Sequence, residues 1–354
     1  MRIDDKPANP QGFHGILLFK SWSLLCTFVP GHTITEDDER MIKFVMDAFE
    51  DETPFDSKSC LHPDLLRCFE WMAARSTEEA IRDREAVISA IERDAAKFRE
   101  AGLTATWFGA ADNIIKEICV GINGPLLELL LKLSGHVDPL CANMFRDGAP
   151  LVGKLPVSGN GVRENKRPHE SIEHLKNTAA VGNSKVVKRL RQDPFASEIL
   201  KQTMQDAALG RMTWPADLSQ VQLEDVRISH RFGVDQGLKS DGSRKIRCVD
   251  SCTESGINPC TEATEHLSTD GLDSLFQVMT WLQEEFGIIP HIFKVDVDSA
   301  FRRVPVDPAH RWAAHVAFTH EGQVWTSGHL SMPFGAASSV YAWDRVGAAI
   351  VRIA

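Results

Sequence analysis

The chain has 354 residues, 43% of them hydrophobic and 25% charged, with a net charge of −10. These proportions suit a soluble globular protein and exclude collagen-like, fully disordered and mucin-like chains. The acidic total argues against a surface that grips nucleic acid everywhere, while leaving room for a local basic channel. At roughly 150 residues per domain the length predicts two or three domains, with a core that needs no disulfide or metal staple. The start, Met1-Arg-Ile-Asp-Asp-Lys, is too acidic for a signal peptide. The most apolar stretches, 15–29 and 125–133, are interrupted by Lys20 and by Glu128 and Lys132. Neither approaches the roughly 18 apolar residues of a membrane span. The expected location is therefore intracellular, cytoplasmic or nuclear, with no membrane partner. The eight cysteines, lacking a secretory context, are expected to be reduced.

Residues 1–150 read as a helical region without a chemical motif. Thr77-Glu-Glu-Ala opens a charged helix carrying Ile81, Val87, Ile88, Ile91 and Phe98, with Gly102 placed to stop it. The apolar run 107–133, broken at Gly121 and Gly124-Pro125, reads as two helices. A Gly- and Pro-containing loop over 148–168 marks the expected boundary. Residues 151–225 read as a loop and basic helical linker. Lys185, Lys188, Arg189 and Arg191 there suit either phosphate-backbone contact or a solvated helix face.

Residues 226–354 read as α+β, antiparallel strands with packed helices. Arg244-Lys-Ile-Arg-Cys-Val-Asp250 is a short strand ending on a carboxylate. A helix capped at Thr269-Asp270 runs to Phe286 and closes at Gly287. Residues 291–297 read as a buried strand ending at Asp296. Residues 313–318 and 323–328 alternate around a turn, as in a hairpin, and a small-residue helix follows Gly335.

Two segments carry chemistry. In Val295-Asp296-Val-Asp298-Ser-Ala-Phe301-Arg-Arg-Val-Pro305, a carboxylate at a strand end is suited to Mg²⁺, which takes oxygen ligands. In Met332-Pro-Phe334-Gly335, a glycine before a helix lets backbone approach a ligand, and helix N-termini favour phosphate.

In this order and spacing the segments resemble the palm of reverse transcriptases. Val295-Asp296-Val297-x-x-Ala300-Phe301-x-x-Val304-Pro305 is similar to that family's first signature. Met332-Pro333-Phe334-Gly335, followed by Trp343-Asp344-Arg345, is similar to the second. Upstream, Lys245, Arg247, Val249 and Asp250 resemble the basic element leading into apolar-Asp, followed by Ser255-Gly-Ile-Asn258. The flavour is closest to eukaryotic retroelements of DIRS or Ty3 type, and the likeness covers roughly residues 225–354.

The resemblance implies a partial fingers and palm domain of an RNA-directed DNA polymerase that joins deoxynucleotides to a primer 3′-hydroxyl by a two-Mg²⁺ mechanism. Asp296, assisted by the Val297 carbonyl, would bind the metals. Ser299 and Ala300 would lie near the triphosphate, and Phe301 would be the gate against a ribose 2′-hydroxyl. Lys245 and Arg247 would hold phosphate oxygens. Phe334 and Gly335 would line the nucleotide pocket, and Arg345 would be structural or contact the template backbone. Partners would be an RNA or DNA primer–template and dNTP. Three departures stand out: Ser339-Val340 replaces the usual small-Pro, Arg247 lies three rather than four residues before Asp250, and the aromatic-x-Asp-Asp signature is missing, since only 19 residues follow Gly335 with Asp344 their sole acid. The chain is therefore expected to lack polymerase activity. The alternative is a non-catalytic nucleic-acid-binding or scaffold remnant.

Overall fold

The computed structural model describes residues 63–164, 168–239, 241–267, 271–287 and 296–353, with positions 39, 40, 43, 289 and 292. The stretch 15–29, Thr269-Asp270 and positions 291 and 293–295 of the expected strand lie outside the described residues. The protein mixes helix and sheet, and none of its described helices is long and apolar enough to cross a membrane.

Helices are α1 (Pro63–Ala73), α2 (Thr77–Glu100), α3 (Leu103–Phe108), α4 (Asn113–Ile118), α5 (Gly124–Leu133) and α6 (Met144–Asp147). They continue with α7 (Ile172–Asn177), α8 (Ala179–Arg189), α9 (Ala196–Ala208), α10 (Leu272–Phe286) and α11 (Ala337–Ile353). Two compact units result, Met1–Thr77 with Thr269–Phe293, and Glu78–Ser268 with Lys294–Ala354. In the first, Phe69 of α1 meets Trp281 of α10 with ring centroids 5.7 Å apart, and Trp281 meets Phe286 edge-on. Gly287 ends α10 in the left-handed conformation, as its position predicts.

The second unit holds a five-stranded sheet. Its strands, β3 (Ala216–Asp217), β4 (Ile228–Leu238), β5 (Arg244–Asp250), β8 (His315–His320) and β9 (Gln323–Gly328), lie in the order β3-β9-β8-β4-β5. Two-residue pairs β1 (Gly153–Lys154) with β6 (Thr261–Glu262), and β2 (Val162–Arg163) with β7 (Glu265–His266), complete the strands. The β8–β9 hairpin is the expected one. β4 and β5 pair antiparallel with Arg231 opposite Asp250, while β4 and β8 run parallel with Ile228 opposite His315.

Successive strand residues face opposite sides, and helices cover both. Ala317 packs with Ile228 and Val186 of α8, whereas its neighbour Phe318 packs with Cys248 and Ile199 of α9. The same alternation in β5 puts Lys245 and Arg247 on the side away from α9. Among the described residues β5 is an edge strand, and it carries Arg244, Lys245 and Arg247, charges that discourage edge-to-edge pairing.

The largest core runs from Phe108 through Phe145, Ala149 and Leu151 to Val304, Met332 and Val346. The expected boundary at 150 therefore does not divide the packing, because residues on both sides of it bury one apolar surface. The run 107–133 is also broken once more than expected. Asp112 caps α4 by accepting from the Ile114 and Ile115 amides, and Gly124-Pro125 begins α5. In α2, Ile81, Val87 and Ile88 are exposed, while Ile91 and Phe98 are half-buried and Ala95 is buried, so only the later part of the apolar spacing is packed. The six described cysteines are free thiols. Burial pushes the Cys119 and Cys141 thiols up to about 12, leaving them neutral and unreactive.

Candidate functional site

The three sequence elements meet at one end of β5. A one-turn 3₁₀ helix, Ala300–Arg303, presents Phe301, whose ring lies 5.3 Å from that of Phe334 at an interplanar angle of 49°. The Arg247 guanidinium lies over the other partner of the pair, 5.3 Å from the Phe334 centroid. Both rings are half-buried, and Arg247 is exposed. The Asp250 amide donates to the Phe334 carbonyl at 3.2 Å. Asn258 completes the junction: its amide donates to the Gly335 carbonyl at 3.0 Å and its oxygen accepts from the Ala337 amide at 2.8 Å. Asn258 thus caps α11, so that N–H is already satisfied and does not await a phosphate, contrary to the expectation for this helix start.

Around Asp296 the picture differs from the expected buried strand end. Asp296, Val297 and Asp298 are exposed, and Asp296 and Val297 lie in irregular backbone. Asp298 pairs with Arg303 at 3.2 Å and accepts from the Ser299 hydroxyl at 3.0 Å. Ser299 has φ 55°, a left-handed conformation that costs a non-glycine residue free energy and clusters at functional positions. Arg211 donates to its hydroxyl at 3.2 Å. Asp296 and the Val297 carbonyl are oxygen donors of the right kind for Mg²⁺. Among the described residues, however, no group of three metal-ligating side chains exists. They do not fit a two-metal centre, and no metal-dependent step follows from them.

Two expected nucleic-acid contacts need correction. Arg345 is 5% exposed and makes a bidentate pair with buried Asp138, at 2.6 and 2.9 Å, so it cannot touch a template. Of the basic cluster on and after α8, Lys185 and Lys188 are exposed, but Arg189 pairs with Glu254 at 2.9 Å. The Arg191 guanidinium folds back onto the Lys188 and Leu190 carbonyls. Half of that cluster is already engaged.

Sequence reasoning missed a buried charge network behind the aromatic pair. Arg302 Nη1 donates to His329 Nδ1 at 2.6 Å and to the Ser331 carbonyl at 3.2 Å, and its Nη2 donates to Asp206 at 3.0 Å. On the other ring edge, His329 Nε2 lies 2.8 Å from Asp250, which also pairs with Arg231 at 3.2 Å. Arginines can only donate, and Arg302 meets Nδ1 at 2.6 Å whereas Arg231 stands 3.3 Å from Nε2, farther than Asp250, so Nδ1 accepts and Nε2 carries the proton toward Asp250. Burial, opposed by Asp250, holds the His329 imidazole down to about 4, so it is neutral at physiological pH. Burial alone would raise the Asp250 carboxyl, but Arg231, His329 and Arg302 outweigh it and hold it below the usual carboxylate range. Burial pulls Arg302 down to about 10, and it stays charged at neutral pH.

The pH consequence has a definite sign. Unfolded His329 takes a proton near 6.5 while the folded residue refuses it until about 4, so stability falls as pH drops through that window. Between pH 7 and 4.5 the expected loss from this group is on the order of 2–3 kcal/mol. Burial also lowers His310 and His315, which add loss of the same sign. Urea unfolding at both pH values, compared with His329→Gln, isolates the His329 share, and an identical loss in the variant would contradict it.

Compared with known families and with curated protein sequences, the chain matches no family model and no curated sequence.

Proposed function

We propose that the unit formed by Glu78–Ser268 and Lys294–Ala354 is a reverse-transcriptase-like domain that binds a deoxynucleoside triphosphate beside nucleic acid. One observation carries this reading. Elements singled out separately along the sequence, Arg247, Phe301 and Phe334-Gly335, lie against one another, with both centroid distances 5.3 Å. In this reading Arg247 and Lys245 meet phosphate oxygens with charge-assisted hydrogen bonds. Phe301 stacks under the sugar and discriminates against a 2′-hydroxyl, and Phe334 supplies the apolar wall. Ser299 and Ala300 face the phosphates, and Lys185 and Lys188, exposed on α8, meet a nucleic-acid backbone.

A second reading, binding without catalysis, is favoured by the absence of companion metal ligands for Asp296 among the described residues. Titration with a fluorescent dNTP tests the first. Binding at least tenfold tighter than the matching ribonucleotide is expected, with Phe301→Ala narrowing that ratio and Arg247→Ala weakening both about tenfold. Equal affinities in wild type and both variants would defeat it. Primer extension on RNA separates the two readings: no product above the Asp296→Asn background is expected from binding alone, and Asp296-dependent extension establishes catalysis.

A further inference from the structure

Each of the three converging elements contributes at least one member to the buried network. Arg302 adjoins Phe301 in sequence. His329 and Ser331 precede Phe334 in the same segment. Asp250 ends the strand that carries Arg247. The network is therefore wired to the aromatic face from behind. Arg302 grips the Ser331 carbonyl at 3.2 Å, two residues before Pro333. His329 joins Arg302 to Asp250 with bonds of 2.6 and 2.8 Å, and the Asp250 backbone N–H holds the Phe334 carbonyl. Arg231, opposite Asp250 in the β4–β5 register, closes the far side, and Asp206 of α9 receives the second Arg302 nitrogen.

We infer that Arg302 and His329 are positioning residues, which set the spacing of Phe301, Phe334 and Arg247 and thereby the affinity for a deoxynucleoside triphosphate. The ligand class rests on the function proposed above. The wiring itself rests only on the geometry. Two features distinguish it from ordinary core packing. All four principal side chains, Arg231, Asp250, Arg302 and His329, are under 5% exposed. Arg231 Nε and Arg302 Nε are also buried without a hydrogen-bond partner, so the arrangement carries a desolvation penalty that apolar side chains of similar size would avoid. What the charges provide and apolar groups do not is direction: a fork and a two-ended imidazole fix three backbone segments at once.

The experiment uses the full chain with two readouts at pH 7.5. The first is hydrogen exchange of peptides covering 247–252 and 330–336, with α8 as the internal reference. The second is the dissociation constant of a fluorescent dNTP. Variants are Arg302→Met and His329→Leu, with Arg302→Lys and His329→Gln as conservative partners that keep a donor. The first pair is expected to lose at least tenfold of the exchange protection in both peptides while α8 keeps wild-type protection, and to weaken dNTP binding at least tenfold. His329→Gln is expected to recover part of both. If the drastic variants fail to fold, the same localised pattern in the conservative pair decides.

Exchange that rises uniformly, or not at all, overturns the positioning role. So does a localised rise with unchanged dNTP affinity. If the wild type binds no dNTP, the proposed function fails, and the exchange pattern still decides whether Arg302 and His329 hold the three segments together.

Discussion

Arg345→Met is expected to cost the fold about 3–5 kcal/mol, because it leaves the Asp138 carboxylate buried without its partner. Asp138 is 2% exposed, and both its oxygens are taken by the Arg345 fork at 2.6 and 2.9 Å. This one pair joins helix α11 to the segment before the Cys141–Asn143 turn, 207 residues away along the chain. Where two buried charges face each other, their removal together costs far less than the removal of either alone. Asp138→Asn combined with Arg345→Met should therefore recover much of the loss in urea unfolding. An exposed template contact would give the opposite result, with stability unchanged in Arg345→Met and the salt dependence of nucleic-acid binding reduced.

Gly335→Ala should be as damaging, for a steric reason. Gly335 has φ +108°, and a Cβ there would sit 2.0 Å from the Asp250 carbonyl oxygen and 3.0 Å from its carbonyl carbon. Both are backbone atoms, so no side chain can swing away to make room. Strain in the left-handed region and forced movement of β5 each cost about 1–3 kcal/mol, and the movement parts Phe334 from Arg247. A fall in stability of roughly 3 kcal/mol is expected, with dNTP binding lost in the protein that remains folded. Gly322→Ala is the control. Gly322 also has positive φ, at +75°, but nothing lies within 4 Å of its added Cβ. It should show the conformational cost alone, about 1 kcal/mol. Equal losses at the two glycines would show that the close approach of Gly335 to Asp250 does not matter.

The elements with regular local periodicity were legible in the sequence. The strand at 244–250, the hairpin of β8 and β9 and the helix after Gly335 follow from alternation, turn residues and small-residue spacing. The extra break before α4 was not, because it depends on whether the Asp112 side chain folds back to its own amides. The expected strand into Asp296 ends in irregular, exposed backbone at Asp296 and Val297. At the site, Phe301, Phe334, Gly335 and Arg247 were singled out by their motifs, and the fold brings them together. Arg302 and His329 were invisible, since motif reading treats their positions as variable, and their partners lie 27 to 98 residues away. At Arg345 the sequence leaves a structural role and a template contact open, and the structure decides for the structural one. An arginine on a helix gives no local sign that a buried aspartate waits on the other side of the core.

Photo-crosslinking tests the central claim most directly. An azido-substituted dNTP irradiated on the wild-type chain should mark peptides from 244–250, 296–303 and 332–337 together, and excess unlabelled dNTP should abolish all three. Labelling confined to other peptides, or labelling that unlabelled dNTP does not displace, would contradict a nucleotide-binding face built from Arg247, Phe301 and Phe334.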